Sequence, residues 1–203
     1  MKHKSSQQLY EYWNRLRRDR VAPERSDIEP GDIRSILGDT FILQANDQGQ
    51  IHFRLAGTRL CAAYGRELKS TEFMDLWTGE DRDAMETLVD SVREQATACV
   101  VGVSGATIDG NSLPMELLLL PLLHQGQSSV RLIGAFSSWS HPFWIGDKPI
   151  ISQKISSMRL IWPTDTQQQV RKVAGDDRIK INGDQENVKV VRHLMVFDGG
   201  KKG

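Results

Sequence analysis

The sequence predicts an α+β fold in which a largely antiparallel sheet packs against helices. Three observations support this class: a strand hairpin around Asn46–Gly49, a long amphipathic helix after Thr78, and three later strands separated by short polar links. Sequential apolar strands with short connections favour an antiparallel meander. The predicted strands cover about residues 40–44, 51–56, 98–103, 115–123 and 130–139.

An amphipathic helix is predicted near the N-terminus. It begins at Ser5, with Gln8 as a capping-box partner, and ends before Pro23. Its apolar side chains recur at helical spacing and form one stripe, composed of Leu9, Tyr12, Trp13 and Leu16. The stripe needs a partner surface, which is either the chain's own sheet or the same helix of a second subunit. Residues 1–37 are therefore an N-terminal helix and connector.

Two elements define the predicted core of the domain. In the second strand, alternation places Ile51, Phe53 and Leu55 on one face and His52 and Arg54 on the other. The long helix, capped by Thr78, presents Met85, Leu88, Val89 and Val92 along one side. Leu117–Leu120 is apolar on both faces, which predicts a central strand covered on both sides.

The C-terminal part gives weaker patterns. Residues 155–161 favour one further strand, which Pro163 ends. Residues 163–203 are expected to form a partly disordered tail, because residues 164–187 are polar and charged. Val188–Phe197 is apolar again and is interpreted as either a docking segment or a partner-binding tail.

Composition excludes several classes of partner. The 26 basic residues balance the 26 acidic ones, so no overall field favours nucleic acid or an anionic membrane. The longest apolar run, Leu117–Leu123, is too short to span a bilayer, and residues 1–8 lack the apolar stretch of a signal peptide. Two widely separated cysteines are typical of reduced thiols. We expect a cytoplasmic bacterial protein.

Motifs for catalysis and metal binding are not found in the sequence. It contains no G-x-S-x-G and no phosphate-binding P-loop, and its five histidines are scattered without ligand spacing. We therefore predict no catalytic residue, no metal site and no enzymatic activity.

A family resemblance rests on the order and spacing of several short motifs. Their residues are Tyr12-Trp13, Leu16-Arg17, Pro23, Arg25, Pro30, Arg54-Leu55-Ala56-Gly57-Thr58, Tyr64-Gly65, Trp77 and Pro142-Phe143-Trp144-Ile145-Gly146. Together they resemble a PAS-like family of small stand-alone proteobacterial proteins. The resemblance covers roughly residues 8–162.

This resemblance implies a five-stranded antiparallel sheet with helices on one face, over a domain of residues 38–162. It also implies signal reception or protein contact rather than turnover, and it brings no known ligand, so the cofactor stays unknown. The flavin motif of light-sensing relatives is not matched, because Ala62 and Ala63 follow Cys61.

Two sets of candidate functional residues follow. A ligand pocket between sheet and helices would be lined by Phe53, Leu55, Met74, Trp77, Met85, Leu88, Val89, Met115, Leu117, Leu119, Leu132 and Phe136. The alternative is that these side chains form a solid core. A protein interface is predicted at the helix stripe, Leu9, Tyr12, Trp13 and Leu16, together with Trp139 and Trp144.

Arginines supply the remaining candidates. Arg25, in the connector between two prolines, is expected to be a structural anchor, with partner recognition as the alternative, and Arg54 is also expected to be an anchor. Arg54 and Arg59 could instead hold an anionic group or form surface salt bridges. The hypothesis drawn from the whole sequence is a non-catalytic module that forms a homodimer and signals through a partner protein. The alternative is a small-molecule sensor.

Overall fold

Six strands form one antiparallel sheet in the order β2-β1-β5-β4-β3-β6. A computed structural model describes residues 1–124, 127–162, 188–191 and 194–197. The strands are β1 (Thr40–Ala45), β2 (Ile51–Ala56), β3 (Ala98–Thr107), β4 (Ser112–His124), β5 (Gln127–Ser138) and β6 (Ile150–Ile161). The five predicted strands and the antiparallel meander of β3, β4 and β5 are confirmed.

The sheet has one strand more than the resemblance implied. The further strand predicted over residues 155–161 begins earlier, at Ile150, and pairs with β3 from Thr107 to Ala98. Backbone pairing along β3 therefore adds a sixth strand to the sheet, and this strand lies at its edge.

Within the described residues, three α-helices accompany the sheet: α1 (Lys4–Arg17), α2 (Thr58–Tyr64) and α3 (Gly79–Gln95). The capping box predicted for Ser5 and Gln8 is wrong. His3 is the N-cap of α1 and its Nδ1 accepts the Ser5 N–H at 3.1 Å, while Gln8 bonds the Ser35 hydroxyl at 3.0 Å. Gly57 occupies the N-cap position of α2. Thr78 occupies the N-cap position of α3 without a side-chain capping bond.

The sheet separates two apolar cores. The first core lies on the side of α2 and α3 and contains the predicted stripe Met85, Leu88, Val89 and Val92. The second core lies on the other side, where α1 and the connector of residues 18–39 cover the sheet. Short 3₁₀ turns shape this connector: Arg25–Asp27, Pro30–Ile33 and Leu37–Asp39.

Strand β4 contributes to both cores. Leu117 and Leu119 lie in the first core, and Leu118 and Leu120 in the second. All four side chains are fully buried. The prediction of a central strand covered on both faces is confirmed, and α1 supplies part of the second cover.

Residues 170–203 form a separate unit from residues 1–169. Within this second unit, β7 (Val188–Val191) and β8 (Leu194–Phe197) pair antiparallel. The predicted docking segment thus contains two short strands, and its docking role stays a prediction. The disorder predicted for residues 164–187 lies outside the described residues.

Candidate functional site

The first core brings together most of the residues predicted to line a ligand pocket. Eleven of the twelve belong to this cluster, and Leu55 does not. Aromatic rings fill its centre, where Phe53 lies 5.7 Å from Phe41 and 5.6 Å from Phe73 between ring centroids. These eleven side chains thus lie in one cluster. Whether they enclose a ligand stays a prediction.

Leu55 lies on the other side of the sheet. The register between β1 and β2 shifts between Ile42 and Leu43, so that Leu43 pairs with Phe53 but Ile42 pairs with Leu55. The extra residue, Arg54, is a β-bulge, and it turns the next side chain away from the first core. Leu55 is 44% exposed and lies with residues of the second core. The strict alternation predicted for β2 is wrong at this point.

A polar atom without a partner lies inside the first core. Trp77 is 1% exposed, and its Nε1–H has no hydrogen-bond acceptor among the described residues. A buried donor left unsatisfied costs about 1–3 kcal/mol. An acceptor bound at this indole would remove that cost.

A second buried polar group lies between α2 and β6. The Tyr64 hydroxyl donates to the side-chain oxygen of Gln153, and burial raises the pKa of Tyr64 well above its ordinary value. The amide nitrogen of Gln153 has no partner among the described residues. Sequence reasoning missed Gln153, because it lies in a strand whose pattern was weak.

The aromatic residues predicted to form one interface lie apart. Leu9, Tyr12 and Trp13 are buried in the second core, and Leu16 packs against it. Trp144 is buried in the first core, on the opposite side of the sheet. Trp139 is exposed and forms an edge-on contact with His3. The expectation of one contiguous aromatic surface is wrong, because α1 turns its stripe inward onto β4 and β5.

The predicted anchors differ in their contacts. Arg25 donates from Nη1 to the Ile28 carbonyl at 3.5 Å, a long bond within the connector. Arg54 is exposed and has no ion pair within the described ranges. Arg59 donates to Asp39, with 2.7 Å between Nε and Oδ1, so the salt-bridge alternative holds for Arg59. The anchoring roles of Arg25 and Arg54 stay predictions.

Glu116 makes a structural contact that the sequence did not reveal. This buried carboxylate on β4 accepts the backbone N–H of Lys2 at 2.8 Å and that of His3 at 2.9 Å. It therefore holds the chain immediately before α1 on the sheet. A single glutamate within an apolar strand was the available signal.

Among the described residues, no group of three or more histidine, cysteine or acidic side chains is placed to hold a metal ion. None of the helices in the described part of the chain is long and apolar enough to cross a bilayer.

Comparison with known proteins gives the class of this fold. The family described as "PAS domain" matches residues 1–137, which is more than half of the chain. The chain therefore belongs to the PAS domain family, whose members are sensory modules. No curated protein matches it.

Several solved structures are similar at low identity. A LOV protein of Rhodobacter sphaeroides is 11% identical, with 54% of this chain and 66% of that chain covered and a TM-score of 0.41. The LOV domain of the blue-light photoreceptor Aureochrome1 is 14% identical, covering 54% and 87%, with a TM-score of 0.41. The PAS domain of an HTR-like protein from Haloarcula marismortui is 16% identical, covering 53% and 89%, with a TM-score of 0.36. This chain thus spans just under two thirds of the Rhodobacter protein.

Proposed function

We propose that this chain is a non-catalytic, cytoplasmic PAS module that forms a homodimer and passes its signal to a partner protein by direct contact. The observation that carries the proposal is the apolar surface of β6. This strand lies at the edge of the sheet, and Ile151 and Met158 on it are 58% and 54% exposed. Trp162, one residue beyond the strand, is also exposed.

Edge strands that expose apolar side chains favour contact with another chain. The middle of β6 is protected, because Asp81 accepts the Ile155 N–H at 3.1 Å. The contact surface therefore has two apolar ends, at Ile151 and at Met158 with Trp162. Neither end involves the stripe of α1, which the second core already buries.

Sedimentation velocity tests the dimer. We expect the wild-type chain to sediment as a dimer at tens of micromolar, and Met158→Lys to shift it to the monomer, because a charge on an edge strand opposes pairing. Val21→Lys is the matched control, since Val21 is similarly exposed but lies outside the sheet. A wild-type chain that stays monomeric at high micromolar concentration would contradict the dimer.

Quantitative co-purification from the native host tests the partner. A protein that is recovered with the wild-type chain and with Val21→Lys, and is lost with Met158→Lys, supports signalling through β6. Equal recovery with all three chains contradicts that route.

A second candidate function is ligand sensing in the first core, and the unpaired Trp77 indole favours it. A ligand acceptor at Nε1 would satisfy this buried donor. Native mass spectrometry of protein from the native host is the test. We expect a retained non-covalent mass in the wild type that Trp77→Phe loses. Trp13→Phe should keep this mass, because Trp13 is buried in the second core. A bare chain mass in the wild type would contradict sensing in this core.

A further inference from the structure

An apolar groove of about 300 Å³ opens on the side of the sheet opposite the first core. The connector forms one wall, through Ile28 and Ile33, and the sheet forms the other, through Ile42, Leu55 and Ile133. Arg25 also lines the groove. A mostly apolar cleft with a polar group at one side is the usual form of a small-molecule site.

The bulge at Arg54 creates part of this groove. Without it, the alternation of β2 would direct Leu55 into the first core. With it, Leu55 pairs with Ile42 and lies half-exposed in the groove wall. The bulge thus leaves the apolar side chain of Leu55 partly exposed in the groove wall instead of burying it in the first core.

Three arginines lie near the groove, and one of them lines it. Arg25 is part of the lining, Arg54 precedes Leu55 in β2 and lines a second pocket with Gln44, and Arg131 lies two positions from Ile133 on β5. Burial lowers the pKa of Arg131, and the nearby charges of Arg54 and Arg25 lower it further. In the parts of the chain that the structure describes, none of the three forms an ion pair with an acid.

Two buried polar atoms near Arg54 have no hydrogen-bond partner within the described residues. They are Nε of Arg131 and Oε1 of Gln44, two residues that are paired across β5 and β1. Like charges held together near an apolar surface oppose folding, and an anion bound close to them would reduce this repulsion.

We propose that this groove binds a small amphipathic anion. Its alkyl chain lies against Ile33, Ile42 and Leu55, and its carboxylate or phosphate accepts hydrogen bonds from Arg25, with Arg54 and Arg131 adding attraction. The site is distinct from the first core, and it requires neither the dimer nor the partner proposed above. A volume of about 300 Å³ lies at the lower limit of small-molecule pockets, so the chain of the ligand is short.

Isothermal titration calorimetry with sodium octanoate, below its micelle concentration, tests the proposal. Octyl phosphate is titrated in parallel and distinguishes a phosphate headgroup from a carboxylate. Acetate supplies the charge without the chain, and octanol supplies the chain without the charge. We expect octanoate, octyl phosphate or both to bind at least roughly tenfold more tightly than acetate and octanol, and to weaken as salt is raised.

Variants locate the site. Arg25→Gln should weaken binding roughly tenfold or more, through the loss of a charge-assisted hydrogen bond, and Arg54→Gln should weaken it less. Leu55→Gln should weaken it by removing apolar contact. Arg34→Gln is the matched control, an exposed arginine of the same connector outside the groove, and should bind as the wild type does. These positions are not fully buried, and far-UV circular dichroism verifies that each variant is folded.

Three results would overturn the proposal. The first is the absence of binding heat for both amphipathic anions with the wild-type chain. The second is binding that Arg25→Gln and Leu55→Gln leave unchanged, because the anion would then lie elsewhere. The third is octanol binding as tightly as octanoate, which would exclude a role for the arginines.

Discussion

Arg59 on α2 donates two hydrogen bonds to the buried carboxylate of Asp39, with distances of 2.7 Å from Nε to Oδ1 and 2.9 Å from Nη2 to Oδ2. The same carboxylate accepts the hydroxyl of Ser5 at 2.8 Å, from the first turn of α1. Asp39 therefore joins elements that lie on opposite sides of the sheet. This contact holds the start of β1 between them.

Substitution of Asp39 should destabilise the fold. In Asp39→Ala, the Ser5 hydroxyl loses its acceptor and Arg59 loses a bidentate partner, so we expect the free energy of unfolding to fall by about 2–3 kcal/mol. Urea denaturation measures it. Asp109→Ala is the control, because the Asp109–Lys148 pair is exposed and should contribute less than about 1 kcal/mol. Equal losses for both variants would contradict a structural role for Asp39.

The close approach of the connector backbone explains why position 57 of the Arg54–Thr58 motif is a glycine. A Cβ atom at this position would lie 2.3 Å from the backbone oxygens of both Leu37 and Gly38. These are backbone atoms, so Gly57→Ala should lower the free energy of unfolding by about 2 kcal/mol or more. Gly31→Ala, which meets no atom within 4 Å, should be neutral or slightly stabilising. Thermal unfolding compares the stabilities of the two variants. A Gly57→Ala variant as stable as the wild type would show that the backbone of the connector moves to make room for the Cβ atom.

Substitution of Trp13 tests whether this residue serves internal packing or a subunit interface. Its ring is buried and its Nε1 donates to the Pro121 carbonyl at 2.7 Å. Trp13→Ala should therefore cost about 3–5 kcal/mol in chemical denaturation. Trp139→Ala should cost far less, because Trp139 is 47% exposed. A Trp13→Ala variant that keeps full stability but loses a dimer would support the interface predicted from the sequence instead.

The two cysteines should differ in reactivity. Burial raises the pKa of Cys99 to about 12, so almost no thiolate is present at pH 8. Burial also raises the pKa of Cys61, but this residue is half-buried and accessible. With iodoacetamide at pH 8, mass spectrometry should find Cys61 modified in the folded protein and Cys99 only in urea. Alkylation of the native Cys61→Ser variant at Cys99 would show that the first core opens.

Arg131→Met should stabilise the fold. The change removes a buried Nε–H without a partner and a charge that Arg25 and Arg54 repel, and it keeps an unbranched side chain beside Leu122. We expect the free energy of unfolding to rise by about 1 kcal/mol in urea. Arg34→Met, at an exposed position, should leave it unchanged. A loss of stability in Arg131→Met would mean that the guanidinium is well solvated in the folded state.

The secondary structure and most of the first core follow from local patterns. Alternation in β2 and the helical spacing of Met85, Leu88 and Val89 predicted which side chains meet, because period and burial are linked by backbone geometry. The doubly apolar run in β4 predicted a strand with two covered faces. These features depend on residues that are near one another in the chain.

The failures concern long-range pairing. Nothing in the local pattern of β2 shows that Arg54 is a bulge, since that depends on the register adopted with β1. The same holds for α1, whose apolar stripe is evident but whose burial partner is chosen by the chain's path through the connector. Trp144 follows β5 in sequence, yet it packs in the first core, away from Trp13.

The amino-acid sequence by itself therefore determined the α+β class, the positions of the main strands and helices, and which apolar side chains form most of the first core. Only the tertiary structure decided that α1 covers the chain's own sheet, that Leu55 leaves the core, and that Arg25, Arg54 and Arg131 lie near one groove. The physical reason is that side-chain periodicity is a local property of the backbone. The partner of each face is set by register and chain path, to which residues distant in sequence contribute.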